Sequence, residues 1–346
     1  MLNPNWNFFG NPLAAAALAG MVERHRIPQT LLLAGPEGIG KATLARRFAA
    51  ALLGYGADKI EQDDLSIPAN AAPIADREKW TSEKRNEDPL VFGSHPDFLT
   101  FPSDGPLQQI TIQQMRLLKE RGQLKPLRGP WRVFLIDNME RANAQAANSL
   151  LKILEEPPTH LILVMTARNP YDLLPTIRSR AITLNLGRLG EEEMRSFIAA
   201  RGLSDPGRRL ALAAGAPGLA VSLDLETYDR RREAMLALLR VAAGAEQFGS
   251  WMKHSDSIAA RRTEKLESYL EVLYGLLEDL MRLAHGVPAL RNADARRELE
   301  PLAARVSFEW LRKASLRVDE LVELGRRNIQ KPIALDAFAV ALRVKA

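Results

Sequence analysis

The chain has 346 residues, 46% hydrophobic and 26% charged, the proportions of a soluble globular protein long enough for two or three domains. It has no cysteine, which excludes a disulfide scaffold, cysteine-ligated zinc or iron–sulfur clusters and a cysteine nucleophile, and fits a reducing compartment. Lys and Arg number 47 against 42 Asp and Glu, a net charge of +5, a bias mild enough to permit nucleic-acid contact without demanding it.

The opening residues, MLNPNWNFFGNP, lack the basic and apolar regions of a secretory signal. Apolar runs such as Leu161 to Ala167 fall far short of the ~20 residues that span a bilayer, so a cytoplasmic, membrane-free protein is expected. Residues 13–27 read as a helix and Thr30 to Ala34 as a short buried strand. A glycine-rich stretch at 35–40 then opens a helix over roughly 41–53, with Leu44, Phe48, Ala51 and Leu52 at helical spacing. From Gly54 to about Pro96 the text turns rich in Asp, Glu, Lys, Asn and Pro and loses periodicity. This is an insertion, expected mainly as a solvated loop with some short helices.

Order resumes with a strand at 97–101, a helix at 110–121 and a strand at 132–137. The helix 142–156 puts Ala147, Leu150, Leu151 and Leu154 on one face and is stopped by Pro157 and Pro158. Strands at 161–167 and 181–186 follow. Apolar strands alternating with helices indicate a parallel sheet covered on both faces. Beyond it the pattern is helical: 190–202, a GAPG turn at 215–218, then helices that include 262–284 and 308–327. The expected architecture is α/β over 1–187 with the insertion at 54–96, a small helical domain over 188–225, and an all-α domain over 226–346.

Gly35-Pro36-Glu37-Gly38-Ile39-Gly40-Lys41 has the G-x-x-x-x-G-K spacing of a phosphate loop (P-loop). Glycines let successive backbone N–H groups face phosphate oxygens, a helix N-terminus adds partial positive charge, and the lysine bridges the outer phosphates. The strand before it and the helix after it supply the required context. The next residue should carry a hydroxyl for Mg²⁺, but it is Ala42; Thr43 lies about 100° further round the helix. Asp137 closes its strand where a metal-bound water could be held. The residue after it is Asn138, which cannot accept the proton of an attacking water, and losing a general base typically costs about 10²–10⁴-fold in rate. Glu140 is one helical step too far along to replace it.

The segments GPEGIGKATLARRFA (35–49), HPDF (95–98), RVFLIDNMERANAQAANSLLKILEEPP (132–158) and LLPTIRSR (173–180) resemble the delta-prime family of bacterial DNA polymerase III clamp-loader subunits, a branch of the AAA+ proteins. The resemblance runs in order through most of the first 220 residues; beyond that it rests on helical character and position. It implies an AAA+ P-loop domain, a small helical lid and a helical oligomerising collar. It also assigns Arg180, in Ser179-Arg180, the role of an arginine finger reaching into the ATP site of a neighbouring subunit. Three departures bear on function: the third residue of that motif is Ala181 instead of cysteine, the four zinc-binding cysteines of many relatives are absent, and the GAPG turn offers Gly218 and Leu219 where motor subunits carry a nucleotide-sensing arginine.

The degenerate nucleotide site therefore comprises Gly35 to Lys41, Ala42, Thr43, Asp137 and Thr166, with no resident metal or zinc expected and at most weakly held ATP or ADP. The expected function is that of a clamp-loader stator in DNA replication, partnered by gamma/tau-type motor subunits, a delta subunit, the sliding clamp indirectly, and primer-template DNA. The alternative is an active AAA+ motor ATPase of a clamp loader or related DNA-remodelling complex, using Lys41, Asp137 and Thr43, and a weaker one is a nucleotide-dependent DNA-remodelling protein unconnected to a clamp. Other constellations are weaker. The five histidines are scattered, His95-Pro96-Asp97 reads as a turn entering a strand, and Arg121, Lys125, Arg128 and Arg132 read as a solvated face.

Overall fold

The computed structural model describes residues 2–3, 6–261, 264–325 and 330–343. They form two compact units. One holds the described residues up to Gly202 with Gly215–Leu219, and the other holds Leu203–Ala214 with the described residues from Ala220 onward.

In the first unit β1 (Leu2–Asn3) pairs antiparallel with β2 (Phe8–Phe9), and α1 (Pro12–Glu23) leads to β3 (Thr30–Ala34) and α2 (Lys41–Leu53). Next come α3 (Ala57–Gln62), α4 (Pro68–Arg77) and α5 (Ser82–Glu87), then β4 (Phe92–His95), β5 (Phe98–Phe101), α6 (Ile112–Gln123), β6 (Arg132–Ile136) and α7 (Ala144–Glu155). The unit continues through β7 (Leu161–Ala167), α8 (Pro175–Arg178), β8 (Ile182–Asn185) and α9 (Glu191–Ala200). The main sheet has the order β4-β5-β6-β7-β3-β8, parallel throughout except for β4 against β5. Every residue of β3, β6 and β7 is buried, as all-apolar strands covered on both faces require. By contrast β8 is an edge strand with Ile182 49% exposed, so the apolar run at 181–186 is covered less fully than its composition suggests.

Local chemistry sets the helix boundaries. A capping box joins Thr111 and Gln114 at the start of α6, and the Asn143 side chain accepts the Ala146 N–H at 2.8 Å to open α7. Along α7 Ala147, Leu150, Ile153 and Leu154 are buried, while Leu151 is only half-buried. In α2 the buried apolar set is Leu44, Ala45, Phe48, Ala49 and Leu53; Ala51 is exposed, because the buried stripe drifts around the helix.

The insertion departs most from its sequence reading. It is not a solvated loop: three helices of six, ten and six residues are tied to the sheet unit by a buried ion pair. Arg77 Nε donates to both carboxylate oxygens of Asp104 at 3.1 Å, and its Nη2 donates to Oδ2 at 2.8 Å. Helices so short show little 3.6-residue periodicity, which is why the pattern hid them. Arg132 also differs from the solvated reading. It is 6% exposed and donates to the carbonyls of Arg121 and Pro96 at 2.9 Å.

The second unit is helical: α10 (Pro206–Ala213), the C-terminal half of α11 (Pro217–Ser222), α12 (Leu225–Ala242), α13 (Phe248–Ala260), α14 (Leu266–Ala284), α15 (Arg296–Ala303), α16 (Phe308–Gly325) and α17 (Lys331–Leu342). Residues 262–263 and 326–327 of the two long expected helices lie outside the described residues. Trp251, Tyr269, Leu273, Leu276, Leu311 and Phe338 lie in one apolar core. Within it the buried Asp279 accepts from Arg291 N at 2.6 Å and from both Asn292 nitrogens at 2.8 Å, which satisfies a carboxylate that would otherwise be costly to bury.

Candidate functional site

The order of the central strands puts β7 between β3 and β6. The C-terminal ends of all three meet at one edge of the sheet, where open α/β sheets bind ligands. From β3 the chain enters the glycine loop, and Gly35 (φ 155°), Gly38 (φ 71°) and Gly40 (φ 95°) adopt backbone angles that side chains disfavour. Space is equally short. A Cβ on Gly35 would lie 2.3 Å from the Leu186 carbonyl oxygen, and one on Gly38 would lie 2.8 Å from Leu219 Cγ.

The lysine of the loop is turned back on it. Lys41 Nζ donates to the carbonyls of Gly35 at 2.7 Å and Pro36 at 2.8 Å. Burial holds this ammonium below the ordinary lysine range, opposed by the nearby carboxylates of Asp137, Glu140 and Glu37. The loop is also closed from the far side, where Gly218 N donates to the Gly38 carbonyl at 2.7 Å and Leu219 occupies the space beside Gly38. Pro36 and Ile39 complete the loop, with Ile39 fully buried.

Asp137 and Thr166 meet. Thr166 Oγ1 donates to Asp137 Oδ1 at 2.6 Å and accepts from Asn138 N at 2.8 Å, while Asn138 Nδ2 donates to Asp137 Oδ2 at 3.1 Å. Burial raises the Asp137 carboxyl above its usual range, against the lowering effect of Thr166 and Lys41. Ala42 offers no hydroxyl, and Thr43 Oγ1 accepts from Arg46 Nη2 at 3.4 Å. This set does not fit a hydrolysable magnesium triphosphate: the metal-ligating hydroxyl and the general base are missing, and the lysine is spent on its own loop.

The sequence reading missed Arg168. It follows directly on β7, its Nη2 pairs with Glu37 of the loop, and its backbone N–H donates to Glu140 Oε1 at 3.2 Å. The end of β7 is thus tied to the loop by an exposed ion pair. The available signal was positional, a cation just beyond the strand adjoining the P-loop strand.

Arg180 lies elsewhere. It follows α8 just before β8, and Leu31 of β3 pairs in parallel with Ile182, so Arg180 sits at the sheet edge opposite the glycine loop. Six residues of parallel strand separate its level from that of Gly35, about 20 Å at strand rise, well beyond an arginine's reach. The side chain is 34% exposed; Nη2 pairs with Glu155 Oε1 at 2.9 Å, and Nη1 donates to the Thr176 carbonyl at 2.9 Å. Beside it Arg178 stacks on Tyr171, 4.6 Å from the ring centre, and Tyr171 is itself 77% exposed.

Among the described residues, no helix is long and apolar enough to cross a membrane. Residues 75–190 match the family model described as DNA polymerase III, delta subunit. Among curated proteins the chain is 26% identical over 329 residues to the DNA polymerase III subunit delta' of Pseudomonas aeruginosa, covering 89% of this chain and 90% of that protein. It is 28% identical over 190 residues to the DNA polymerase III subunit gamma/tau of Mycobacterium tuberculosis, which covers 55% of this chain but only 30% of that longer protein. Among solved structures, a DNA polymerase III gamma subunit-related protein of Thermotoga maritima superposes with a TM-score of 0.46 at 17% identity, covering 95% of this chain and 98% of that one. In sequence, then, the chain is similar over nearly all its length to a delta-prime subunit of bacterial DNA polymerase III, and over about half of it to the gamma/tau subunits.

Proposed function

We propose that the chain is a clamp-loader subunit of bacterial DNA replication, of the delta-prime type, and acts as its stator. It sits beside gamma/tau-type ATPase subunits and a delta subunit, helps load a sliding clamp onto primer-template DNA, and does not itself turn over ATP efficiently. Such a role belongs in the cytoplasm. In this reading 188–225 serves as the lid and 226–346 as the oligomerising collar.

The observation that carries the reading is the division between the two edges of the sheet. One edge holds a phosphate loop whose lysine bonds its own carbonyls, with Ala42 and Asn138 where a metal-ligating hydroxyl and a base would stand. At the other edge Arg180 is exposed and too far from that loop to serve it. This supports delivery of Arg180 to a neighbour's ATP site, where an arginine finger contributes about 10³–10⁵-fold in related NTPases. The weak hold on ATP or ADP expected from the sequence is consistent with a loop closed by Gly218 and Leu219.

The test is DNA-stimulated ATP turnover of the complex reconstituted with the gamma/tau-type and delta subunits of the same organism. Arg180→Ala is expected to reduce turnover at least tenfold without loss of assembly. An unchanged rate would remove the trans role. Brisk turnover by the purified chain alone, abolished by Lys41→Ala, would make it a motor subunit instead.

A further inference from the structure

The last residues of α7 break a local rule. Glu155 is the final residue of the helix and Glu156 its C-cap, so two carboxylates crowd the negative end of the helix dipole, where cations are favoured. Violations of this kind, with no gain in packing, mark functional positions. Glu155 is 52% exposed and gains little stability from an exposed ion pair. What it does hold is Arg180.

We propose that Glu155 is a positioning residue for Arg180, a role that rests on the trans reading above. The guanidinium is fastened on two sides: Nη2 to Glu155 Oε1 at 2.9 Å and Nη1 to the Thr176 carbonyl at 2.9 Å. These bonds use two of its five N–H donors, and Nη1 also lies 3.5 Å from Ser179 Oγ. Donors remain for an incoming phosphate oxygen. A free arginine has rotamer entropy that must be given up when it engages a transition state. Fastening it beforehand moves that cost out of the catalytic step, as preorganisation does elsewhere. At the negative end of α7 a nearby cation is the favoured partner for Glu155.

The assay is steady-state kinetics of the reconstituted complex with ATP and primed DNA. Glu155→Ala is expected to lower kcat about three- to tenfold, the share of that entropy an arginine would again have to give up, with KM for ATP unchanged. Glu155→Gln keeps an oxygen acceptor at the same place and should recover at least half of the loss. A rate equal to or above wild type in Glu155→Ala would overturn the proposal, as would a loss that Glu155→Gln fails to repair. Arg180→Ala separates the two readings. If it leaves the rate unchanged, the trans role itself fails; if it lowers the rate while Glu155→Ala does not, only the positioning role fails. Both side chains are exposed, so gel filtration and melting of the variants should match wild type.

Discussion

Removing one member of the Arg77–Asp104 pair is the sharpest perturbation the fold offers. The two side chains are 5% and 2% exposed, with the closest approach at 2.8 Å. Arg77→Met leaves the Asp104 carboxylate buried with a single backbone donor, Gly105 N at 2.7 Å. Breaking a buried pair from one side costs about 3–5 kcal/mol, whereas replacing both partners with apolar residues is often neutral. Since the chain comprises two compact units, a global melt does not isolate this pair; amide hydrogen exchange of α4 and α5 reads the local opening directly. At about 1.36 kcal/mol per tenfold, Arg77→Met should speed exchange there by about 200- to 5,000-fold. The double variant Arg77→Met with Asp104→Leu should recover most of that protection. A change under about fivefold in Arg77→Met would refute the idea that this pair holds the insertion in place.

Three further outcomes follow from named contacts. Gly38→Ala forces a Cβ to within 2.8 Å of Leu219 Cγ and 2.9 Å of Leu219 N at a φ of +71°, and should destabilise the first unit by about 1–3 kcal/mol; adding Leu219→Ala should restore only the side-chain part, as read by denaturant titration. Asp137→Asn should raise the melting temperature near neutral pH. The folded-state pKa of Asp137 is raised above 3.8 by burial, so its favourable contribution is full below 3.8 and lost as pH rises through the raised folded-state value; the variant's advantage should vanish in acid. For Glu264, burial alone would raise the pKa, but hydrogen bonds from Tyr269, Arg231 and Arg230 outweigh it and hold the carboxyl at about 2 against an ordinary 4.5. Its contribution is full above 4.5 and lost toward pH 2, so Glu264→Gln should be less stable than wild type at neutral pH and equal to it in strong acid, as followed by circular dichroism.

The central strands β3, β6 and β7 were legible because they are almost wholly apolar, and the helices between them are long enough to show their period; β4 (Phe92–His95) was not, because its FGSH sequence is mixed and lies within the expected insertion. The glycine loop was legible because three positive-φ positions at fixed spacing can hardly be filled otherwise. Arg168 was not legible, since its partners Glu37 and Glu140 lie 131 and 28 residues away and only the strand order brings them together. Arg132 was misread for a related reason. A basic residue at the start of an apolar strand looks solvated until the loop carbonyls of Pro96 and Arg121 close over it. The insertion concealed both its short helices and the long-range pair that fixes them.

Which groups the loop keeps and which it lacks follows a physical division. Lys41, Asp137 and Thr166 each have partners inside the chain: two loop carbonyls for the lysine, and Thr166 and Asn138 for the carboxylate. Truncating any of them to an apolar residue would leave buried polar groups unpaired, at about 1–3 kcal/mol each. The positions that depart from a working ATP site, Ala42, Asn138 and Gly218-Leu219, are those whose working residues would bind only metal, water or phosphate. A chain relieved of hydrolysis can lose such groups at no cost to its fold, and at Gly218 the missing side chain, whose Cβ would lie 2.8 Å from the Gly38 carbonyl oxygen, lets the backbone N–H reach that carbonyl. Arg180 is the exception that defines the role. Its ion pair with Glu155 is exposed and contributes little to stability, so folding alone gives no reason for an arginine there. In the proposed reading that reason lies outside the chain, in a phosphate carried by a neighbour.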